Sequence, residues 1–194
     1  IYKILDDKYK LKYFFKSNNI LYPKTISVSD RSINEIYRFI NDNKKNIFLK
    51  KKNNTLGGYG VYDLENMNIN SRKINSKINS DDWLIQKKIN GVFVGTDVLY
   101  INGKINAITF HKNKNYKKMF KGFSNYYYPS LDNIYSHNGL RMNEYFYVNN
   151  FIKIIKKIGK SSQYNGIMNI DFIYKLKNNK IKIYLLEINP RIGG

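Results

Sequence analysis

Two carboxylates and an amide near the end of this 194-residue chain are the side chains best placed to do chemistry. Residues 180–189 (KIKIYLLEIN) read as a strand, rich in β-branched residues and introduced by a turn at Asn178-Asn179. Strand side chains alternate between faces, so Ile181, Ile183, Leu185, Glu187 and Asn189 are expected on one side. That side is apolar for three positions and then carries a carboxylate and an amide. Pro190 closes the strand because it has no N–H for the ladder, and Arg191 follows it. Upstream, residues 166–175 (GIMNIDFIYK) read as a second strand, with Asp171 between Ile170 and Phe172, which should point the other way. Asp171, Glu187 and Asn189 would then project from adjacent strands beside Arg191, a set of hard oxygen donors suited to Mg²⁺ carrying phosphates. The plainer reading leaves Asp171 and Glu187 as ordinary charges at strand ends.

A second constellation lies earlier. Residues 47–51 (IFLKK) read as a strand that runs into a loop with Gly57, Gly58 and Gly60. Glycines let backbone N–H groups approach phosphate oxygens, and a lysine at the end of the leading strand can neutralise them. Lys50 and Lys51 both qualify. No Lys-Ser/Thr follows the glycines, so this is not the phosphate loop of the GxxxxGK[ST] type. Alone it is weak evidence, since a Gly-rich turn beside lysines is more often only a turn.

The elements that must hold these residues follow from local signals. Asp6-Asp7 places acids at the start of a helix whose apolar stripe is Leu11, Phe14 and Phe15. Ser32 and Glu35 fit a capping box ahead of a stripe at Ile33, Ile36, Tyr37 and Ile40. Residues 63–82 read as loop with room for a short helix. Strands follow at 83–88 and 92–101, and Asn102-Gly103 marks a hairpin with its return strand at 104–111. Residues 144–160 carry the strongest helical period, with Val148, Phe151, Ile152, Ile155 and Ile158 in its stripe and Gly159 as a cap. The order predicts an α+β class with largely antiparallel sheet in both halves.

Composition sets outer limits. Hydrophobic content of 42% with 15% aromatic residues describes a chain that can bury a core. Cysteine is absent, which excludes disulfides, thiolate metal sites and cysteine nucleophiles. No apolar run is long enough to cross a bilayer and no signal-peptide pattern opens the chain, in keeping with a cytoplasmic location and no membrane partner. The net charge of +20 attracts anions, nucleic acid among them. Yet Lys, Asn, Ile and Tyr are over-used together and the lysines are scattered, which makes nucleic acid the poorer candidate. His111 and His137 are candidates for contacts to an acceptor substrate, though a lone His in a Lys/Asn-rich stretch is more often just solvated.

Taken in order, these motifs resemble the ATP-grasp superfamily, nearest the ATP-binding domains of carbamoyl phosphate synthetase and related carboxylate–amine ligases. The resemblance spans nearly the whole chain. It rests on Asp7-Lys8, Tyr22-Pro23-Lys24-Thr25, the Lys51-to-Val61 strand and loop, residues 84–97 (LIQKKINGVFVGTD), and Asp171 with Glu187-Ile188-Asn189-Pro190-Arg191. It implies an ATP-grasp fold of two α+β subdomains clasping a nucleotide, here expected at residues 1–83 and 84–194. It further implies ATP and Mg²⁺ as cofactors, with Mn²⁺ able to replace Mg²⁺, and small-molecule carboxylate and amine substrates. On single residues, it implies phosphate contacts from Lys8 and Lys51, with Lys50 the rival for the second. Gly57, Gly58 and Gly60 would form a flap over the triphosphate. Gln86, Lys87, Lys88 and Ile89 match a hinge whose backbone pairs with adenine, and Asp97 an acid near the ribose and phosphates. Asp171, Glu187 and Asn189 match metal ligands, and Arg191 and Lys51 the groups that steady the transferring phosphoryl.

Gln86 and Asp171 depart from relatives that carry Glu at those places. The resemblance also implies a preceding α/β domain and a C-terminal continuation in a parent protein, so that residues 1–194 by themselves would bind nucleotide without completing a reaction. Two other functional classes fit the same residues: a kinase or phosphotransferase of this fold, and a non-catalytic nucleotide- or nucleic-acid-binding module.

Overall fold

The computed structural model describes residues 7–43, 46–52, 60–65, 67–68, 71–113, 123–128, 142–177 and 180–190, with side chains at all of these but 73, 110–113, 123–128, 142–148, 176, 177 and 180. The strands are β1 (Thr25–Ser27), β2 (Ile47–Lys51), β3 (Val61–Asp63), β4 (Trp83–Lys87), β5 (Val92–Ile101), β6 (Lys104–Asn113), β7 (Phe123–Tyr128), β8 (Gly166–Lys177) and β9 (Lys180–Asn189). They form a four-stranded sheet in the order β1-β4-β2-β3 and a five-stranded sheet in the order β7-β6-β5-β8-β9. Every ladder is antiparallel. The helices are α1 (Leu11–Ser17), α2 (Ile33–Asp42), α3 (Arg72–Ile78) and α4 (Met142–Ser162). The α+β class with antiparallel sheets is the one the sequence predicts.

Local signals act at two starts, only one of them as expected: α1 begins at Leu11 with no acid in its first turn and no side-chain cap, Asp7 standing ahead of it. The Asp7 carboxylate accepts from the amides of Tyr9 (2.9 Å) and Lys10 (3.0 Å), which shapes the turn that leads into α1. In α2 the Ser32 hydroxyl accepts from the Glu35 amide while the Glu35 carboxylate accepts from the Ser32 amide, a complete capping box. The α2 stripe differs from the expected set. Ile36, Phe39 and Ile40 are buried at i, i+3, i+4 spacing, while Ile33, at the first helical position, is exposed. Residues 63–82 supply α3, whose Ile74 and Ile78, one turn apart, close the core of the four-stranded sheet together with Leu64.

The hairpin tip and α4 explain each other. Asn102 (φ +50°) and Gly103 (φ +72°) make the turn between β5 and β6. Gly103 rests against Gly159, which lies inside α4 and does not cap it; the chain turns out of the helix at Gln163 (φ +48°). A Cβ on Gly159 would come within 2.3 Å of the Gly103 carbonyl oxygen and 2.4 Å of the Tyr100 ring. Glycine is therefore there for close approach.

Each sheet has its own core. The larger joins α4 (Phe151, Ile152, Ile155, Ile158) to one face of the five-stranded sheet through Val94, Val98, Met168, Ile170, Phe172, Leu185 and Ile188. The smaller gathers α2, α3, Leu49 and Ile85 on the four-stranded sheet. Leu11, Phe15 and Ile20 belong to the larger core, although they precede the first sheet in sequence. Strand β4 lies inside the four-stranded sheet, so residues 84–87 pack with the first lobe. Among the described residues no helix is long and apolar enough to cross a membrane.

Candidate functional site

Strand register assembles the site. In β5, β8 and β9 the aligned positions Thr96, Ile170 and Ile188 are buried in the larger core. Their neighbours must face the other way. Gly95, Asp171 and Glu187 form one cross-sheet row, and Asp97, Asn169 and Asn189 the next. Two carboxylates thus stand directly opposite each other, beside a glycine that contributes no side chain.

This arrangement depends on a feature absent from simple alternation. Phe172 pairs with Leu185 but Asp171 pairs with Glu187, so the β8–β9 ladder shifts by one and Leu186 is the extra residue. With unbroken register Glu187 would lie beside Ile170, on the face where Ile170 and Phe172 are fully buried. The bulge turns it to the side of Asp171 instead. The expectation that Ile183, Leu185, Glu187 and Asn189 share one face is therefore corrected: Ile183 and Leu185 pack in the core with Ile188, and the polar pair occupies the opposite face.

Like charges opposite one another across a ladder are destabilising unless a cation stands between them. Lysines from both lobes do part of this. The Lys8 ammonium lies 3.3 Å from Glu187 Oε1, both side chains being largely buried (11% and 21% exposed). On β2, Ile47 and Leu49 face the smaller core, which places Lys50 on the opposite face beside Phe48. Burial holds the Lys50 ammonium below the ordinary lysine range; Glu187 and Asp171 oppose that shift and Lys8 adds to it. Lys50 therefore lies within electrostatic reach of both carboxylates. Lys51, one residue on, follows the side of Leu49 and pairs across the ladder with Trp83.

The amides form a chain of their own. Asn169 Nδ2 donates to Asp97 Oδ1 at 2.9 Å, and Asn189 Nδ2 reaches Asn169 Oδ1 at 3.5 Å. The oxygens that β8 and β9 bring to this face are carboxylate and amide, the chemistry that hard divalent cations prefer, and on β6 the same two rows continue at His111 and Thr109. Among the described residues no three His, Asp or Glu side chains converge as a metal cluster. The fit to a divalent cation is that of two facing carboxylates supported by an amide. Asn169 was not singled out by the sequence reading, yet its spacing of two from Asp171 puts it on the same face.

The hinge residues sit where β4 leaves the sheet. Gln86 is buried and donates from Nε2 to Thr25 Oγ1 at 3.1 Å. The amides of Lys87 and Lys88 bond to the carbonyls of Lys24 (2.9 Å) and Asn46 (3.1 Å), and Ile89 is buried. Lys88 is buried too, and its ammonium contacts Asp63 and, at 2.8 Å, Glu65. Burial alone would lower this ammonium's pKa; hydrogen bonds to the two carboxylates outweigh it and hold it above the ordinary lysine value. Gly60 (φ +78°) returns the chain from the glycine loop, its carbonyl accepting from the Lys51 amide at 3.0 Å. Gly57, Gly58 and Arg191 lie outside the described residues.

Comparison with known proteins adds independent findings. The family described as the ATP-grasp domain matches residues 5–194. No curated protein sequence matches the chain. Among solved structures, N5-carboxyaminoimidazole synthetase from Staphylococcus aureus complexed with ADP superposes with a TM-score of 0.66 at 18% identity, over 97% of this chain and 45% of that one. The biotin carboxylase domain of 2-oxoglutarate carboxylase from Hydrogenobacter thermophilus, in complex with MgADP, ADP and bicarbonate, gives 0.65 at 18% identity, over 98% and 40%. D-alanyl-alanine synthetase A from Vibrio cholerae gives 0.61 at 15% identity, over 96% and 55%. The chain spans about half the length of these structures, and at such identities the likeness is one of fold.

Proposed function

Because the chain belongs to the ATP-grasp domain family, we propose that it is the Mg-ATP-binding part of a ligase that activates a carboxylate as an acyl phosphate for attack by an amine or ammonia. The observation that supports this reading best is the facing pair Asp171 and Glu187, with Lys8 and Lys50 reaching toward it from outside the β8–β9 ladder. Asp171, Glu187 and the amide oxygen of Asn189 would hold Mg²⁺, which supplies charge neutralisation across the phosphate oxygens. Phosphoryl transfer demands mainly positioning and electrostatic complementarity from the protein. Lys8 and Lys50 would bring positive charge to the phosphates in a poorly hydrated setting, where it acts strongly. Asn169 keeps Asp97 and Asn189 oriented on the same face. The backbone beyond β4, at Ile89, is where an adenine edge would pair. Arg191, Gly57, Gly58 and Gly60 keep the roles that the family pattern gives them.

Titration calorimetry with Mg-ATP tests the site. Glu187→Ala and Lys50→Ala are each expected to weaken binding at least about tenfold, the scale of losing a partner of a buried charge. Lys51→Ala is expected to weaken it by less. Parent-like binding by Glu187→Ala and Lys50→Ala would refute the assignment. Multiple-turnover ADP release from the parent protein should then require both a carboxylic acid and an amine; sustained release with the amine omitted would favour a phosphotransferase instead.

A further inference from the structure

Lys88 is a charged side chain with only 8% of its surface exposed, and nothing in the phosphate chemistry above uses it. Burying an ammonium is costly unless it is paired and hydrogen-bonded, so its partners indicate what it holds. It follows β4, yet its carboxylate partners Asp63 and Glu65 belong to β3 and the turn after it, beyond the intervening strand β2. The side chain therefore crosses β2, its ammonium passing 5.2 Å from the centre of the Phe48 ring. The Lys50 ammonium lies 5.6 Å from the same ring, on the side of the sheet that faces Glu187. The carboxylates are presented by a built turn. Asp63 Oδ1 also accepts from the Glu65 amide at 2.9 Å, and Leu64 between them is fully buried, its amide bonded to the Ile47 carbonyl at 3.1 Å.

We propose that Lys88 is a positioning residue for the base end of the nucleotide: its strap to Asp63 and Glu65 across Phe48 fixes the segment Lys88–Gly91 relative to the sheet, and so sets which purine edge the backbone at Ile89 accepts. The proposal rests on the nucleotide reading above and deepens it by naming what governs base selectivity. Asp63 and Glu65 are themselves half exposed (49% and 60% for their side chains), so the double variant removes the strap's anchors at the surface while Lys88 stays in place, and the melts report the cost of its lost pairing.

The test is calorimetry of Mg-ATP and Mg-GTP binding to the parent, Lys88→Met, Lys88→Arg, the double variant Asp63→Asn/Glu65→Gln, and Glu187→Ala, with thermal melts of each. Lys88→Met and the double variant should weaken Mg-ATP about tenfold while changing Mg-GTP less than about threefold, the scale of losing a charge pair with one buried member at one end of the ligand. Lys88→Arg should keep the preference for ATP. Glu187→Ala should weaken both nucleotides alike. Equal weakening of ATP and GTP by Lys88→Met, or an unchanged preference in the double variant, overturns the proposal and leaves the nucleotide site standing. Absence of Mg-ATP binding by the parent overturns both.

Discussion

Lys50 and Lys51 are adjacent in sequence and chemically identical, and strand alternation alone separates their roles. Lys50 shares its face with Phe48 and lies among Lys8, Asp171 and Glu187. Its ammonium is held below the ordinary lysine range chiefly by burial. The sign follows directly. Between that lowered value and the ordinary one, the folded protein binds fewer protons than the unfolded chain, so this group's contribution to stability rises with pH across that window. Bound phosphates favour the charged form, so nucleotide binding at a pH within the window should take up a proton. Calorimetry in buffers of differing ionisation enthalpy should show that uptake in the parent and its loss in Lys50→Met. A parent enthalpy independent of buffer would contradict it. Asn169 gives a second prediction at this scale. Asn169→Leu removes the donor to Asp97 and the acceptor for Asn189. It should weaken Mg-ATP binding about fivefold, the worth of one or two hydrogen bonds to charged or buried groups.

At the scale of elements, the close contact of the β5–β6 hairpin tip with α4 inverts the usual effect of a helix substitution. Gly→Ala inside a helix ordinarily stabilises by about 1 kcal/mol. At Gly159 the new methyl would meet the Gly103 carbonyl and the Tyr100 ring at 2.3 and 2.4 Å, so Gly159→Ala should lower the melting temperature. A rise would show that α4 shifts freely off the hairpin. The same contact shows what the sequence conceals. The period of residues 144–160 reveals α4, and the Asn-Gly pair reveals the hairpin, because both signals are local. That Gly159 serves a contact and not a cap depends on a partner 56 residues away in the chain. The bulge at Leu186 is hidden for the same reason. Residues 180–189 are legible as a strand, but the pairing partner decides which face Glu187 takes. Asp171, flanked by Ile170 and Phe172, is legible because both neighbours are strongly apolar. Asn169 and the Lys88 partners at Asp63 and Glu65 emerge only when the strands are laid side by side.

For the whole molecule, the segment that leads into α1 makes directional contacts with the four-stranded lobe. The Lys8 amide bonds to the Lys52 carbonyl at 3.4 Å and the Tyr9 hydroxyl to Asp30, while the Leu185 amide, bonded to the Leu21 carbonyl at 2.8 Å, ties the segment after α1 to β9. Lys8 therefore belongs to the seam between the lobes and reaches Glu187 from there. The net charge of +20 adds a diffuse attraction for any anion, and salt screens it. Mg-ATP binding by the parent should weaken between about 0.05 and 0.5 M KCl, while the ratio between parent and Glu187→Ala persists, because partly buried charges are screened far less. A ratio that collapses toward one in high salt would assign the affinity to the general field.

The claim on which the rest depends is that Asp171 and Glu187 together hold a divalent ion beneath the nucleotide's phosphates. Mn²⁺ binding, followed by its paramagnetic resonance signal with and without ATP, tests it most directly in the parent and in Asp171→Asn/Glu187→Gln. ATP should tighten Mn²⁺ binding to the parent, and the double variant should lose at least about tenfold of that affinity, as expected when charged metal ligands are neutralised. Equal ATP-dependent Mn²⁺ binding by the two proteins would contradict it.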